Sequence, residues 1–527
     1  MSGAAILHRR QFVLAPSDTR PPVPPGWRRY PIGARALSAC PELRVRTLRS
    51  ERGRWLLLGN AVSTAPTDDL ASAEPLDVAD PVGASAAWAG RWLLIGEDEA
   101  VPDASAQLGL LYARGPDGTA WASSSLPLLR ASLPGPGAVR DARRVRYETG
   151  ISWFPPPWTR VAGIDRLLPS QRLRLDAAEV APRRLLDPAA HGSPDAALDD
   201  AAARLARALT RLAARDGPLT LGLTAGADSR TLLAVAVAAG VPLRTYTRLH
   251  GGMSVADRLL PPQLAGMVER PHRYAVPPRT RPNRRVRTAL LRDHAGGVVA
   301  AGDARPLIHG ERDDVVGTVV GGRGFEVVSG FTPWRRLPRA CPPPEEALRA
   351  VLTVTGEPRT SPAAEALLAY LTWADAHPEP GLDWRDRLYV ESRMAGWIAA
   401  KEQASDALPA DRMPVLNCAA TYAAFLSCPE AARAGGAAQR AVIARTSPKL
   451  LELPFNPPDQ AFALRAPHRV LQRAAIRRTG AVTRRLAARS EEWAARASAR
   501  ARTARRAATP PVTPGPRPEP DASERRG

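Results

Sequence analysis

Thr224, Gly226, Asp228 and Ser229 belong to a short run of small and polar residues that could bind phosphate. The run follows the apolar segment 219–223 and precedes a second apolar segment with helical spacing. Small residues let backbone N–H groups approach a phosphate, and the following helix would offer its positive N-terminal end. The Ser229 hydroxyl could donate a further hydrogen bond, and the Asp228 carboxylate could hold the magnesium ion that accompanies a triphosphate. A capped turn with no ligand uses the same residue types, so this run alone leaves both interpretations open.

A second carboxylate, Glu326, follows a glycine-rich turn. The apolar segment 315–320 predicts a buried strand, and the turn after it carries Gly322 and Gly324. Carboxylates at the ends of two strands are suitable ligands for one hard cation between phosphates, so Glu326 and Asp228 form a candidate magnesium pair. A glycine turn with a solvated glutamate is the alternative interpretation.

The segments around these residues predict a parallel α/β sheet. The helix after Ser229 should end at Gly240, and a second apolar run follows it at once. Another helix should begin at Ser254, with Asp257 as the acidic partner of a capping box. A third strand is expected at His272. This strand–helix–strand order is typical of parallel sheets.

The phosphate-binding candidate resembles the pyrophosphate loop of the asparagine synthetase family. That loop has the pattern Ser-Gly-Gly-x-Asp-Ser, and Gly226, Asp228 and Ser229 match it. Thr224 replaces the serine, and Ala225 replaces the first glycine.

The second acidic segment resembles the family's Gly-x-Gly-x-Asp-Glu. Gly322 and Gly324 align with the two glycines and Glu326 with the aspartate, whereas Val327 stands where the glutamate should be. The resemblance implies that Asp228 and Glu326 share a magnesium ion. It also implies that Gly322 and Gly324, like the loop residues Thr224 to Ser229, bind the pyrophosphate part of ATP.

A third segment, 412–417, is similar to the family's Arg-x-Pro-Phe-Leu-Asp, with Asn417 in place of the aspartate. The family then has a Leu-Pro segment, here Leu453 and Pro454, and soon afterwards a lysine that stabilises charge on the acyl-adenylate and the leaving pyrophosphate. Segment 455–472 contains no lysine. Arg465 could supply a charge, but not the geometry of an ammonium group.

The N-terminal region resembles the family's amidotransferase domain without its nucleophile. The family exposes a cysteine after methionine removal, whereas this chain begins Met1-Ser2-Gly3. Glutaminase activity is therefore not expected, although a serine activated by the terminal amine stays an alternative. Short strands with glycine turns are expected in 88–95, 108–113 and 119–124.

The resemblance, over about residues 85–460, implies an α/β chain: a β-rich, amidotransferase-like (Ntn-type) domain followed by a parallel ATP-pyrophosphatase (adenine nucleotide alpha hydrolase-like) domain with a helical extension. We expect a degenerate amidotransferase-like domain at 1–190 and a synthetase-like domain at 191–462. A basic helical segment at 463–508 and a disordered tail at 509–527 should follow.

Net charge and cysteine usage indicate which partners and which cellular compartment to expect. The formal charge is +21, and about half of it lies in segment 465–506, with thirteen arginines against two glutamates. Such a helix could bind nucleic acid or an anionic membrane, but the absence of interleaved aromatic residues favours a solvated face.

The four cysteines form no ligand pattern and are expected to be small buried side chains. No apolar run approaches a membrane span, so a cytoplasmic protein is expected.

For chemistry, the resemblance implies an ATP-dependent, AMP-forming carbon–nitrogen ligase with ATP and Mg²⁺ as cofactors. It would adenylate a small-molecule or peptide carboxylate and form an amide without glutamine, as in the family's ring-closing branches in secondary metabolism. An inactive scaffold or binding protein is the alternative, and adenylation of a nucleic acid base ranks last. A homodimer or a biosynthetic partner protein stays open.

Overall fold

The computed structural model describes residues 7–67, 70, 76–135, 137, 153–186, 191–250, 253–276, 294, 315, 317–330, 334–356 and 362–462. The predictions for the terminus 1–3, the basic segment 463–508 and the tail 509–527 lie outside the described residues. The chain divides into two compact units, one with the described parts of Met1–His250 and Ala256–Pro457, the other with those of Gly251–Val255 and Pro458–Gly527. In the smaller unit, the Val255 backbone N–H donates to the Asp459 carboxylate over 2.9 Å.

The larger unit begins with a β-rich part made of two sheets. The first sheet contains β1 (Phe12–Pro16), β2 (Arg28–Ile32), β3 (Arg35–Ala39), β9 (Leu111–Arg114), β10 (Ala120–Ser123) and β11 (Asp165–Arg166). Its order is β11-β9-β10-β1-β3-β2, with every neighbouring pair antiparallel.

The second sheet contains β4 (Val45–Ser50), β5 (Gly53–Ser63), β6 (Leu76–Asp77), β7 (Trp88–Ile95), β8 (Glu99–Pro102), β12 (Gln171–Arg174) and β13 (Glu179–Pro182). Its order is β13-β12-β8-β7-β5-β4-β6, and only β4 and β6 pair in parallel. The strands expected in 88–95, 108–113 and 119–124 are confirmed as β7, β9 and β10.

Alternation along the strands explains why the two sheets pack together. Phe12 and Leu14 of the first sheet share a core with Leu56 and Leu58 of the second, and all four are fully buried. The intervening Leu57 faces the opposite side of its sheet, in a second core. A period of two residues places apolar side chains on chosen faces of a sheet, which makes a sandwich.

The rest of the larger unit is built on a five-stranded parallel sheet. Its strands are β14 (Leu219–Gly222), β15 (Leu243–Arg248), β16 (His272–Ala275), β17 (Thr318–Val320) and β18 (Asp411–Met413). The order is β16-β15-β14-β17-β18, so β14 is central and β17 lies directly beside it. The predicted strand–helix–strand order is confirmed.

Helices flank these sheets. They are α1 (Pro81–Ala84), α2 (Leu126–Ser132), α3 (Pro194–Asp216), α4 (Ala227–Ala238), α5 (Val255–Met267), α6 (Phe325–Ser329), α7 (Pro344–Thr355), α8 (Pro362–Ala376), α9 (Trp384–Leu388), α10 (Ala399–Ser405), α11 (Ala419–Leu426), α12 (Glu430–Arg433) and α13 (Ala437–Thr446). A π-helical segment, Tyr389–Ile398, joins α9 to α10. No helix among the described residues is long and apolar enough to cross a membrane.

Helix α3 connects the β-rich part to the parallel sheet. The Ser193 side chain caps its first turn by accepting from Ala196, and Gly217 ends it. On one side of the helix, Arg207, Arg211 and Arg215 recur every four residues. Their guanidinium groups donate to backbone carbonyls in and just beyond β5, those of Thr64 (2.7 Å), Ser63 (3.0 Å), Ala65 (2.8 Å) and Ala61 (3.1 Å). The helix is therefore tied to a strand of the β-rich part along two turns.

Asn417 makes a second connection between the two parts. Its side-chain amide donates to the Asp103 carboxylate over 2.7 Å and to the Gly90 carbonyl over 2.6 Å. Its side-chain oxygen accepts from the Ser105 hydroxyl over 2.6 Å. Asn417 and Asp103 are both fully buried. An aspartate at position 417, as in the family pattern, would set two carboxylates against each other, whereas the amide supplies the donor that Asp103 needs.

Candidate functional site

The run from Thr224 to Ser229 lies between the end of β14 and the first turn of α4, as predicted. The Thr224 backbone N–H donates to the Ser229 hydroxyl oxygen over 3.0 Å, and the two hydroxyl oxygens lie 3.0 Å apart. The Thr224 hydroxyl also accepts from the Gly226 N–H over 3.2 Å. A threonine therefore keeps the hydroxyl of the family's serine, and these bonds fix the shape of the loop.

Ala225, where the family has glycine, fits the loop without strain. Its side chain is fully buried, and it is not among the residues with positive φ. Its backbone N–H donates to the Asp257 carboxylate over 2.9 Å. Its carbonyl accepts from the Asn456 N–H over 3.2 Å. The departure from the family pattern at this position thus leaves the backbone of the loop intact.

Arg230 holds the Leu-Pro segment against the loop. Its fully buried guanidinium donates to the carbonyls of Ala225 (3.0 Å), Leu450 (3.1 Å), Leu453 (2.6 Å) and Pro454 (3.0 Å). The group also lies 3.9 Å from the ring centre of Phe455. Burial lowers the pKa of Arg230 to about 10. The candidate phosphate-binding loop and the Leu-Pro segment are therefore held together by one buried side chain, which serves the fold.

Asp228 and Glu326 are brought close enough for their charges to interact. Burial, together with the negative charge of Glu326, raises the pKa of Asp228 to about 6. The Gln439 side-chain amide donates to Asp228 over 3.1 Å and opposes that shift. Two carboxylates that disfavour each other's charge are stabilised when a cation binds between them.

Gly322 permits this approach. A Cβ atom at Gly322 would lie 2.6 Å from the Asp228 Cβ, 2.8 Å from the Asp228 carbonyl carbon and 2.9 Å from the Ser229 backbone nitrogen. Such distances are far inside van der Waals contact, so only glycine fits. The packing of this turn against the Thr224–Ser229 loop and the start of α4 thus requires a glycine at position 322.

Gly324 positions the Glu326 carboxylate, and the valine that follows Glu326 belongs to the core. Gly324 has a φ of +103°, and its N–H donates to the Glu326 carboxylate over 3.0 Å. A Cβ there would lie 2.7 Å from the Tyr422 hydroxyl. Val327 is fully buried in the core. The position where the family has its second acid therefore points into apolar packing and contributes nothing to a cation.

Lys401 is a functional candidate that the sequence reasoning missed. Burial, together with the charges of Arg323 and Arg412, lowers the pKa of Lys401 to about 7, and Glu326 opposes that shift. The adjacent Glu402 is almost fully buried and pairs with both arginines, with 3.3 Å to Arg412. Composition could have drawn attention to it, because only two of the 73 basic residues are lysines, at positions 401 and 449.

Asp228 and Glu326 have the oxygen ligands that Mg²⁺ prefers. Among the described residues, no group of three or more His, Cys, Asp or Glu side chains could hold a metal ion. Mg²⁺ in nucleotide sites uses one or two carboxylates and takes its other ligands from phosphates and water. Asp228 and Glu326 provide such a pair beside a helix N-terminus.

Other candidates from the sequence have structural roles. The His272 ring nitrogen lies 2.9 Å from the Thr245 hydroxyl, and burial lowers its pKa. Cys40, Cys418 and Cys428 are buried as expected, but Cys341 is exposed, so the expectation is wrong for that residue. It lies three residues before α7 begins.

A groove of about 700 Å³ in the β-rich part lies apart from these residues. The residues that line it include Leu43, Leu57, Arg44, Arg211 and Arg215. Arg44 and Arg215 pair with Asp216, and Arg211 donates to carbonyls after β5. These arginines hold the fold together, so the groove is not the candidate site.

The fold and the site define a mixed α/β protein whose parallel sheet carries a candidate phosphate-binding loop at the carboxyl end of its central strand. The chain matches no protein-family model. A search of curated proteins gives no match either.

Proposed function

We propose that the chain is an ATP-dependent ligase that adenylates a carboxylate and passes the acyl group to an amine. The observation that supports this most strongly is the close packing of Gly322 against Asp228 and Ser229, which brings together the turns that follow two adjacent parallel strands. Ligands of open α/β sheets bind outside the carboxyl ends of the strands, where helix N-termini attract anions.

Each residue of the site has a role in this reaction. The first turn of α4 and the hydroxyls of Thr224 and Ser229 would bind the terminal phosphates. Asp228 and Glu326 would hold Mg²⁺, which neutralises charge on the phosphates. A carboxylate oxygen of the acyl substrate attacks the α-phosphorus, and the bond to the β-phosphate breaks, so that pyrophosphate leaves with the electron pair. An amine then attacks the acyl carbon, loses a proton and releases AMP.

The amine would be on the acyl substrate itself or on a second substrate. In the first case the reaction closes a ring. A small molecule or a peptide would supply the carboxylate.

A catalytically inactive scaffold is the second candidate. Val327 favours it, because the position of the family's second acid is buried in the core. The absence of lysine from 455–472 points the same way. A scaffold would bind a nucleotide weakly or not at all, and would not exchange pyrophosphate into ATP.

Calorimetric titration of Mg-ATP into the wild type and Asp228→Asn tests the proposal. We expect micromolar binding by the wild type and at least tenfold weaker binding by the variant, because one of two magnesium ligands is lost. Asp199→Asn on α3, with a side chain 67% exposed, is the matched control and should bind as the wild type does. Equal binding by Asp228→Asn and the wild type would refute the site. ATP–pyrophosphate exchange with candidate carboxylates then separates the enzyme from the scaffold.

A further inference from the structure

The helical region from Tyr389 to Glu402 reaches solvent along a single stripe. Arg393, Trp397 and Lys401 are partly exposed, and every other residue from 389 to 402 is buried. A spacing of four places successive residues on the same side of a helix. This region includes the π-helical segment, and π-helical turns are frequent at functional sites.

The three side chains of the stripe contact one another through the indole. The Arg393 guanidinium carbon lies 4.8 Å from the Trp397 ring centre, and the Lys401 ammonium nitrogen lies 4.9 Å from it. Both distances fall within the range of cation–π attraction. Trp397 therefore packs against both basic side chains at the partly exposed surface of the helix.

The stripe lies beside the carboxylate pair. The charge of Glu326 acts on Lys401, and the charges of Glu326 and Asp228 both act on Tyr389, the buried residue four positions before Arg393. Arg323, which follows Gly322 directly, belongs to the same group of charges as Lys401. Glu402, the residue after Lys401, pairs with Arg323, and this ion pair places the end of the stripe next to the turn whose Gly322 packs against Asp228.

A magnesium triphosphate keeps a net negative charge that the loop cannot balance. Arg230, the arginine closest to the loop in sequence, is occupied by four backbone carbonyls. Arg440 donates to the Gly435 carbonyl and lies 5.9 Å from the ring centre of Phe455. Among the described residues, the stripe presents two further basic side chains, Arg393 and Lys401, that could contact the phosphates.

We infer that the stripe of Arg393, Trp397 and Lys401 is an anion subsite in which Lys401 contacts the phosphate chain of the bound nucleotide. This inference rests on the proposed function. Under this inference, the Lys401 ammonium takes the role of the lysine that is missing after Leu453 and Pro454. Lys401 lies on α10 and not in the C-terminal segment. During adenylation, Lys401 would stabilise the charge that develops on pyrophosphate as its bond to the α-phosphorus breaks.

Titration of magnesium pyrophosphate into three variants tests the inference. Lys401→Met should bind at least tenfold more weakly than the wild type, and Lys401→Arg should lie between them because it keeps the charge but not the geometry. Lys449→Met is the matched control, since Lys449 is the other lysine and is exposed; it should bind as the wild type does. Binding by Lys401→Met within twofold of the wild type would overturn the inference.

A chemical label gives a second readout that needs no variant. Pyridoxal 5′-phosphate condenses with a lysine amine with loss of water, borohydride reduces the imine, and mass spectrometry locates the product. We expect Mg-ATP to protect Lys401 and not Lys449. Suppose that the wild type binds Mg-ATP and Asp228→Asn does not. Unchanged labelling of Lys401 under saturating Mg-ATP would then overturn this inference and leave the proposed function standing. Failure of the wild type to bind Mg-ATP or magnesium pyrophosphate would overturn the proposed function as well.

Discussion

Replacing Asp228 by asparagine should stabilise the ligand-free protein at neutral pH, although it should destroy nucleotide binding. Burial and the charge of Glu326 raise the pKa of Asp228 from 3.8 to about 6. The folded protein therefore binds this proton more tightly than the unfolded chain does. An asparagine has no charge to bury, and its side-chain oxygen can still accept from Gln439.

The size of the effect follows from that shift. Each unit of pKa difference corresponds to about 1.4 kcal/mol, so the ionised Asp228 costs the folded state at most about 3 kcal/mol. Partial exposure of the side chain reduces this to a working range of about 1–3 kcal/mol. Between about pH 4 and pH 6 the unfolded chain loses the proton first, so the free energy of unfolding of the wild type falls as pH rises. Above pH 6 the cost is fully present and no longer changes with pH.

Urea denaturation followed by tryptophan fluorescence measures this difference. The free energy of unfolding of Asp228→Asn should exceed that of the wild type by about 1–3 kcal/mol at pH 7.5, and the excess should shrink as the pH falls towards 4.5. Asp199→Asn should show no such pH-dependent excess, because its side chain is largely exposed. A variant equal to or less stable than the wild type at pH 7.5 would show that Asp228 and Glu326 do not oppose each other in the folded protein.

Two further substitutions test the packing around the site. Asn417→Asp should lower the free energy of unfolding by about 3–5 kcal/mol in the same assay, because it places a second buried carboxylate against Asp103. Adding Asp103→Asn should not restore stability, since four backbone N–H groups also donate to that carboxylate; full rescue would contradict this assignment. Gly322→Ala should weaken Mg-ATP binding at least tenfold by calorimetry, because its Cβ would collide with Asp228. Gly321→Ala should bind normally, as nothing lies within 4 Å of a Cβ there; equal loss in both variants would remove the steric explanation.

Local patterns predicted the central strand, the loop and the following helix correctly, because their signals lie within about twenty residues of one another. The glycines at 322 and 324 were also recognisable from the sequence, although what they contact was not. Asn417 looked only like a departure from a family pattern. Its structural role depends on a hydrogen bond to Asp103, 314 residues away in the sequence. No local sequence pattern can predict a partner at that distance.

Lys401 was missed for a different reason. The family has its lysine after the Leu-Pro segment, whereas Lys401 lies on a helix between β17 and β18. A charge can reach the same point of a site from any element that ends there, which is the role proposed for Lys401. Position in space, and not position in the chain, decides which cation faces the carboxylates.

The arginines of α3 have a consequence for how this chain can evolve. A recombination event at the predicted boundary between residues 190 and 191 would separate Arg207, Arg211 and Arg215 from the carbonyls that they bind in and beyond β5. A new N-terminal partner would have to present carbonyls at the same positions to replace them. Exchange of the β-rich part for an unrelated domain should therefore cost the parallel sheet several of the contacts that hold α3 in place.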